Sequence, residues 1–179
     1  MSREILHEGN FKRFLREAGW EFTERLRVGG VVGILPISKG ETVILVEQAR
    51  IPVGKRVIEI PAGLANDQEE WAHETLEDAA RRELQEETGY EAGKMELLFG
   101  GPIASASLTD IVHLFLATDL EKVSDGGGDE SEDILVHEVS LQDIVSFLKQ
   151  KEQEGFLVDP KIYSALYLYE IKKKDGNHV

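Results

Sequence analysis

Arg82-Glu83-Leu84-Gln85-Glu86-Glu87-Thr88-Gly89-Tyr90, with Glu74 eight residues upstream of Arg82, is the stretch on which the reading of this chain turns. On a helix, Glu83, Glu86 and Glu87 stand at i, i+3 and i+4, so three carboxylates project from one face. Left to themselves they would repel one another and weaken the helix. They make sense around hard divalent cations, because Mg²⁺ takes oxygen ligands and keeps positions open for substrate phosphates. Arg82 and Glu86 form an i, i+4 pair that can hold one carboxylate in place. Gly89 ends the helix, as a left-handed C-terminal cap requires. Most Glu-rich helices simply present a solvated acidic face. That account leaves the spacing of Glu74, Arg82 and Gly89 around the three carboxylates unexplained.

Working outward, Thr75 is the expected N-cap and Asp78 the third helical residue, a capping-box pattern that sets a helix over about 75–88. Leu76, Ala80 and Leu84 form its apolar stripe, distinct from the carboxylate face. Upstream, Val57–Ile60 reads as a strand delivering the chain to Pro61-Ala62-Gly63. Val31–Pro36 and Thr42–Val46 are near-continuous apolar runs joined by Ser38-Lys39-Gly40, which predicts a hairpin of buried strands. In the first thirty residues, Phe11–Arg16 and Glu21–Arg27 flank Ala18-Gly19-Trp20 and read as two strands and a turn, with a helix over Phe11–Glu17 as the competing reading. Downstream, strands are expected at Met95–Phe99, Ile111–Leu116 and Ile134–Val139, and a helix over Leu141–Gln150. Asp159 before Pro160 caps a last helix that should run to about Lys172. Ser124–Asp133, with Gly126-Gly127-Gly128, reads as a flexible acidic loop. Mixed strands flanked by helices predict an α/β/α sandwich with a mixed sheet, preceded by a short β-strand extension.

Composition is compatible with such a fold. The 179 residues suit one domain over 31–179 behind an N-terminal extension of 1–30. With no cysteine there is no disulfide framework, and neither a signal pattern nor a membrane-length apolar run is present, so a cytoplasmic protein is expected. A formal charge of −14 argues against a general nucleic-acid binder. A phosphorylated substrate would have to be received locally, by cations and a few basic side chains. The five histidines are scattered without metal-ligand spacing and carry no assignment.

The segment resembles the Nudix box, G-x5-E-x7-R-E-U-x-E-E-x-G-U with U apolar, and agrees with it throughout from Glu74 to Gly89. The leading glycine departs from the pattern. Gln68 stands at its expected position, and Gly63 is the equivalent, which implies a five-residue insertion within Asn66–His73. Lengthening a surface loop costs only about 0.6 kcal/mol per doubling, so the fold can absorb it. The insertion raises the question of whether Trp71, Glu69 or Glu70 has entered the site.

Val46-Glu47-Gln48-Ala49-Arg50 and Ile58-Glu59-Ile60-Pro61-Ala62-Gly63-Leu64 are similar to the branch of that family that acts on ADP-ribose and nucleoside diphosphate sugars. By itself Arg50 reads as a surface arginine closing a strand. The resemblance implies that Arg50 contacts substrate phosphate and that Glu59 lines the site. It further implies that the Ala62 carbonyl joins Glu83, Glu86 and Glu87 around two or three Mg²⁺ or Mn²⁺ ions. A hydrolase also needs a group that orients or deprotonates water. The branch carries a glutamate for this in a Glu-x-Glu-Asp-Ile setting, which Glu130 and Glu132 fit, with Glu130 favoured as base and Glu86 the fallback. Substrate contacts are implied in Gly101–Asp110, including Thr109 and Asp110, although the fuller Ser-Pro-Gly pattern of ADP-ribose-specific members is lacking. Such N-terminal strands often pair across a homodimer in this branch, which makes Trp20, Phe22 and Arg27 candidates for base contacts. The implied reaction is cleavage of a sugar nucleotide to nucleoside monophosphate and sugar phosphate. Hydrolysis of free nucleoside triphosphates or dinucleoside polyphosphates, and a non-catalytic nucleotide sensor, are the alternatives.

Overall fold

The computed structural model describes residues 2–128 and 133–176. The N-terminal segment pairs as the alternation predicts, but in three strands where two were expected. Strands β1 (Glu4–Glu8), β2 (Lys12–Glu17) and β3 (Trp20–Arg25) form an antiparallel sheet in that order. Ala18 and Gly19, with φ of 52° and 84°, make the two-residue turn between β2 and β3, and such a turn matches the twist of the flanking strands. β1 has no apolar period to betray it: Leu6 alone of its five residues is half-buried, and the strand is held by backbone pairing to β2. This sheet docks on the chain ahead of Ile111. Thr23 N–H donates to the Ser107 carbonyl (2.9 Å), Thr109 N–H donates to the Thr23 carbonyl (3.1 Å), and Arg25 Nε donates to Asp110 (2.9 Å).

The expected hairpin is corrected by the structure. β4 (Gly30–Pro36) and β5 (Thr42–Arg50) meet through the Ile37–Val43 bridge and then diverge into different sheets. A fully apolar run reports burial on both faces but not the identity of its neighbour. The remaining elements are β6 (Lys55–Glu59), β7 (Ala62–Ala65), α1 (Leu76–Thr88), β8 (Tyr90–Pro102), β9 (Ile111–Lys122), β10 (Leu135–Ser140), α2 (Ile144–Gln153), β11 (Leu157–Val158) and α3 (Lys161–Gly176). One mixed sheet runs β7-β4-β9-β8, with β4 and β9 parallel; the other runs β10-β5-β6-β11, with β6 and β11 parallel.

Alternation along β4 divides the core. Val32 and Ile34 pack with Ala79, Ala80 and Leu84 of α1 and with Phe115 and Ala117 of β9. Leu35, with Leu114 and Leu116 of β9, joins the larger core of Leu45, Ile58, Ile60, Leu148 of α2 and Ile162 of α3. Helices therefore flank mixed sheets, the α/β architecture that the pattern predicts. Among the described residues, no helix is long and apolar enough to cross a membrane.

One buried charge helps to tie the second sheet together. Glu47 on β5 accepts hydrogen bonds from Arg56 Nε on β6 (2.6 Å) and Lys151 Nζ on α2 (3.0 Å), and lies 2.9 Å from His137 Nε2 on β10. Burial alone would push its carboxyl up, but the bonds from Lys151, His137 and Arg56 outweigh it and hold the group below the usual carboxylate range. Arg56 also reaches Asp133 through Nη1 (2.6 Å).

Candidate active site

Helix α1 is delimited by local chemistry. The Thr75 hydroxyl accepts from Asp78 N–H (3.1 Å) while the Asp78 carboxylate accepts from Thr75 N–H (3.3 Å), completing the predicted capping box. At the other end Gly89, at φ 76°, donates its N–H to the Gln85 carbonyl (2.8 Å). The triple glycine behaves differently from the loose segment that the sequence suggested. Gly127 and Gly128 N–H groups donate to the Glu87 and Glu86 carbonyls (2.9 and 3.0 Å), filling acceptors that a helix C-terminus leaves open. A Cβ on Gly126 would run into the Thr88 backbone, so glycine serves close packing here.

Arg82 is the hub of the carboxylate face. Its Nε and Nη2 donate to Glu74 (3.2 and 3.1 Å), and Nη1 donates to Glu83 (2.8 Å) and Glu86 (3.0 Å). Nη2 also reaches the Leu64 carbonyl (3.0 Å). Glu74 in turn accepts from Asn66 N–H (3.0 Å), so Glu74 and Arg82 are both tied to β7 and the residue that follows it. Glu83 accepts from Leu64 N–H (3.3 Å), and Glu87, which is 3% exposed, accepts from Ala62 N–H (3.1 Å). Burial pushes the Glu83 carboxyl up, and Arg82 opposes that shift.

Gly63 is identified as the motif's glycine by its surroundings. Any Cβ there would overlap the Glu83 carboxylate. Because the obstacle is the far end of a flexible side chain, Gly63→Ala should cost function more than stability. Thermal denaturation should show a loss of about 1 kcal/mol or less, while kcat falls roughly tenfold as Glu83 is displaced. Wild-type turnover in this variant would remove Gly63 from the site.

Among the described residues, no three acidic or histidine side chains surround a common point; the carboxylates rest instead on Arg82 and on backbone N–H groups. The donors nevertheless suit hard cations. They are all oxygen, Glu83 and Glu87 are largely removed from water, and Gly63 leaves room for the Glu83 carboxylate to lie against β7. A cavity of about 390 Å³ opens over Glu83 and Glu86, lined with them by Asp67, Gln68, Trp71, Arg82 and Gly128. The sequence left open which insertion residues reach the site: Asp67, Gln68 and Trp71 line this cavity, while Glu69 and Glu70 are exposed.

The other predicted residues fall into separate groups. Arg50 Nε donates to Glu59 (2.6 Å), which fixes the guanidinium at the end of β5. Glu59 is buried, and burial pushes its carboxyl up against the opposing effect of Arg50. It precedes Ala62 by three residues, roughly 10 Å along an extended chain. Thr109 and Asp110 line a second cavity of about 390 Å³ with Arg13, Arg25, Arg27 and His113. His113 Nδ1 is buried without a hydrogen-bond partner among the described residues, a feature that a lone histidine in a strand does not advertise. Trp20 and Phe22 line a neighbouring cleft with Arg3, Leu108 and Thr109. Glu130 and Glu132 lie outside the described residues.

A model of the NUDIX domain matches residues 27–160. This chain belongs to the NUDIX family. Relatives of this NUDIX protein include a methanol dehydrogenase activator of Bacillus methanolicus, 34% identical over 72% of this chain and 67% of that protein. An ADP-ribose pyrophosphatase of Bacillus subtilis is 32% identical over 80% of this chain and 74% of its own length. A GDP-mannose pyrophosphatase of Escherichia coli is 32% identical over 70% of this chain and 67% of its own length. Among solved structures, the crystal structure of an ADP compounds hydrolase superposes with a TM-score of 0.74 at 21% identity, covering 100% of this chain and 95% of that one. At that identity the likeness speaks for the NUDIX fold alone.

Proposed function

We propose that this NUDIX protein hydrolyses the pyrophosphate bond of nucleoside diphosphate sugars, ADP-ribose and GDP-mannose foremost, releasing nucleoside monophosphate and sugar phosphate. The observation that carries the reading is the complete carboxylate face of α1 folded against Gly63, in a chain whose relatives include an ADP-ribose pyrophosphatase and a GDP-mannose pyrophosphatase. Glu83, Glu86, Glu87 and the Ala62 carbonyl hold two or three divalent cations, Mg²⁺ or Mn²⁺. Such ions, when bound, neutralise diphosphate charge and lower the pKa of water. Arg82 keeps Glu83 and Glu86 in place and receives no substrate itself. Arg50, oriented by Glu59, meets the diphosphate; Thr109 and Asp110 stand on the substrate side of the second cavity. Glu130 is the base, with Glu132 beside it as an occasional ligand. Positioning and electrostatics supply most of the acceleration.

The N-terminal extension, residues 1–30, is the homodimer contact in this reading. Phe11, immediately before β2, is 80% exposed and Trp20, at the start of β3, 61% exposed, and these are the apolar side chains that such a contact would cover. A protein of this kind works in the cytoplasm.

The deciding assay offers a panel of sugar nucleotides and free nucleoside triphosphates, each with Mg²⁺ and with Mn²⁺, and measures phosphatase-sensitive product. Sugar nucleotides should be cleaved fastest. Free triphosphates cleaved far faster than any sugar nucleotide would overturn the substrate class and leave the family standing. In the same assay Arg50→Ala should raise KM for ADP-ribose and GDP-mannose together, by about tenfold, because both share the diphosphate that the guanidinium pairs with. A rise for one substrate alone would assign Arg50 to the sugar or the base.

A further inference from the structure

The residues by which this chain exceeds the box pattern are built onto the site. Residues Glu69–Trp71 form a 3-10 turn, in which Trp71 N–H donates to the Gln68 carbonyl (3.1 Å). The Trp71 carbonyl accepts from Glu74 N–H (3.0 Å), so the turn is joined to one of Arg82's own partners. The turn lays the Trp71 ring across the Arg82 guanidinium, whose central carbon lies 3.9 Å from the ring centroid.

The edges of that guanidinium are already committed to Glu74, Glu83, Glu86 and the Leu64 carbonyl. Hydrogen bonds around the edge of a planar ion fix its position in the plane but resist tilting out of the plane only weakly. A ring against one face supplies that missing restraint and attracts the cation through its π-system. It also keeps water from that face, which strengthens the pairs made at the edge. We propose that Trp71 is a positioning residue that holds the Arg82 plane and, through it, Glu83 and Glu86 in register for cation binding. This rests on the reading of Glu83, Glu86 and Glu87 as cation ligands. The extra length between Gly63 and Glu74 is then part of the metal centre's support, supplied by this chain beyond the box pattern itself.

The test is Mn²⁺ affinity measured by calorimetry on the whole protein, without substrate. Outer partners of metal ligands typically matter about 10–100-fold. Trp71→Ala should weaken Mn²⁺ binding about tenfold. Trp71→Phe, which keeps an aromatic face, should restore most of the affinity. Trp71→Leu, which keeps apolar bulk without a π-face, should not. In a Trp20→Phe background Trp71 is the sole tryptophan, and Arg82→Lys, which removes the planar face, should raise acrylamide quenching of its fluorescence at least twofold. Wild-type affinity in Trp71→Ala or in Trp71→Leu, with Glu87→Gln losing Mn²⁺, would overturn the positioning role and leave the cation site in place. Indistinguishable Mn²⁺ binding by wild type and Glu87→Gln would overturn the cation site itself and the proposal with it.

Discussion

Glu87→Gln is expected to lower kcat by at least about a hundredfold at saturating Mg²⁺, the scale on which loss of one preorganised charge-stabilising group acts. Glu83→Gln should behave alike. Glutamine keeps the size of the side chain and an oxygen that can still accept from Ala62 N–H, so α1 should stay docked on β7 and the far-UV spectrum should be unchanged. What disappears is an anionic ligand in a place where Glu87 is 3% exposed and water cannot readily replace it. The variant should therefore separate structure from chemistry: melting close to wild type, turnover nearly gone, Mn²⁺ binding weakened. Activity surviving at most of its wild-type level in Glu87→Gln would rule out the carboxylate face as the reaction centre.

How far such residues can be read ahead of the fold depends on how local their chemistry is. The cap at Thr75 and Asp78, the stop at Gly89 and the one-sided display of Glu83, Glu86 and Glu87 depend on neighbours within about two helical turns, and all were legible. The pairing of β4 with β9 and of β5 with β10 and β6 was not, because an apolar run says that a strand is covered without saying by what. β1 escaped because backbone hydrogen bonds rather than apolar side chains hold it. Trp71 could be named as a candidate for the site, but its contact with Arg82 could not be read. Its partner Arg82 lies eleven positions on, across a turn that no helical or strand period connects. Glu47 looks like part of a recognition motif in the sequence; in the structure its carboxylate joins β5 to Arg56, His137 and Lys151. Arg50 looked like a surface residue by itself, and its ion pair with Glu59 emerges only when β5 and β6 lie side by side.

Glu130→Gln is the substitution that separates the proposed base from the proposed metal ligands, with an expected fall in kcat of about 10²–10⁴-fold, the usual contribution of a general base. The acidic segment is held at both ends. On one side Gly127 and Gly128 donate to the carbonyls of Glu87 and Glu86, so the chain departs from the C-terminal end of the carboxylate helix itself. On the other side Asp133 is tied to Arg56, which is in turn bonded to the buried Glu47. Both flanks are thus anchored, one of them on the residues proposed to hold the cations. A base from this segment differs measurably from a ligand of the box: its loss should leave Mn²⁺ affinity near wild type while turnover collapses. Glu132→Gln should have the smaller catalytic effect. If both single variants and the double variant turn over at near wild-type rates, residues 130 and 132 drop out of the mechanism. Glu86, on the exposed side of the Arg82 hub, then becomes the first candidate for the base.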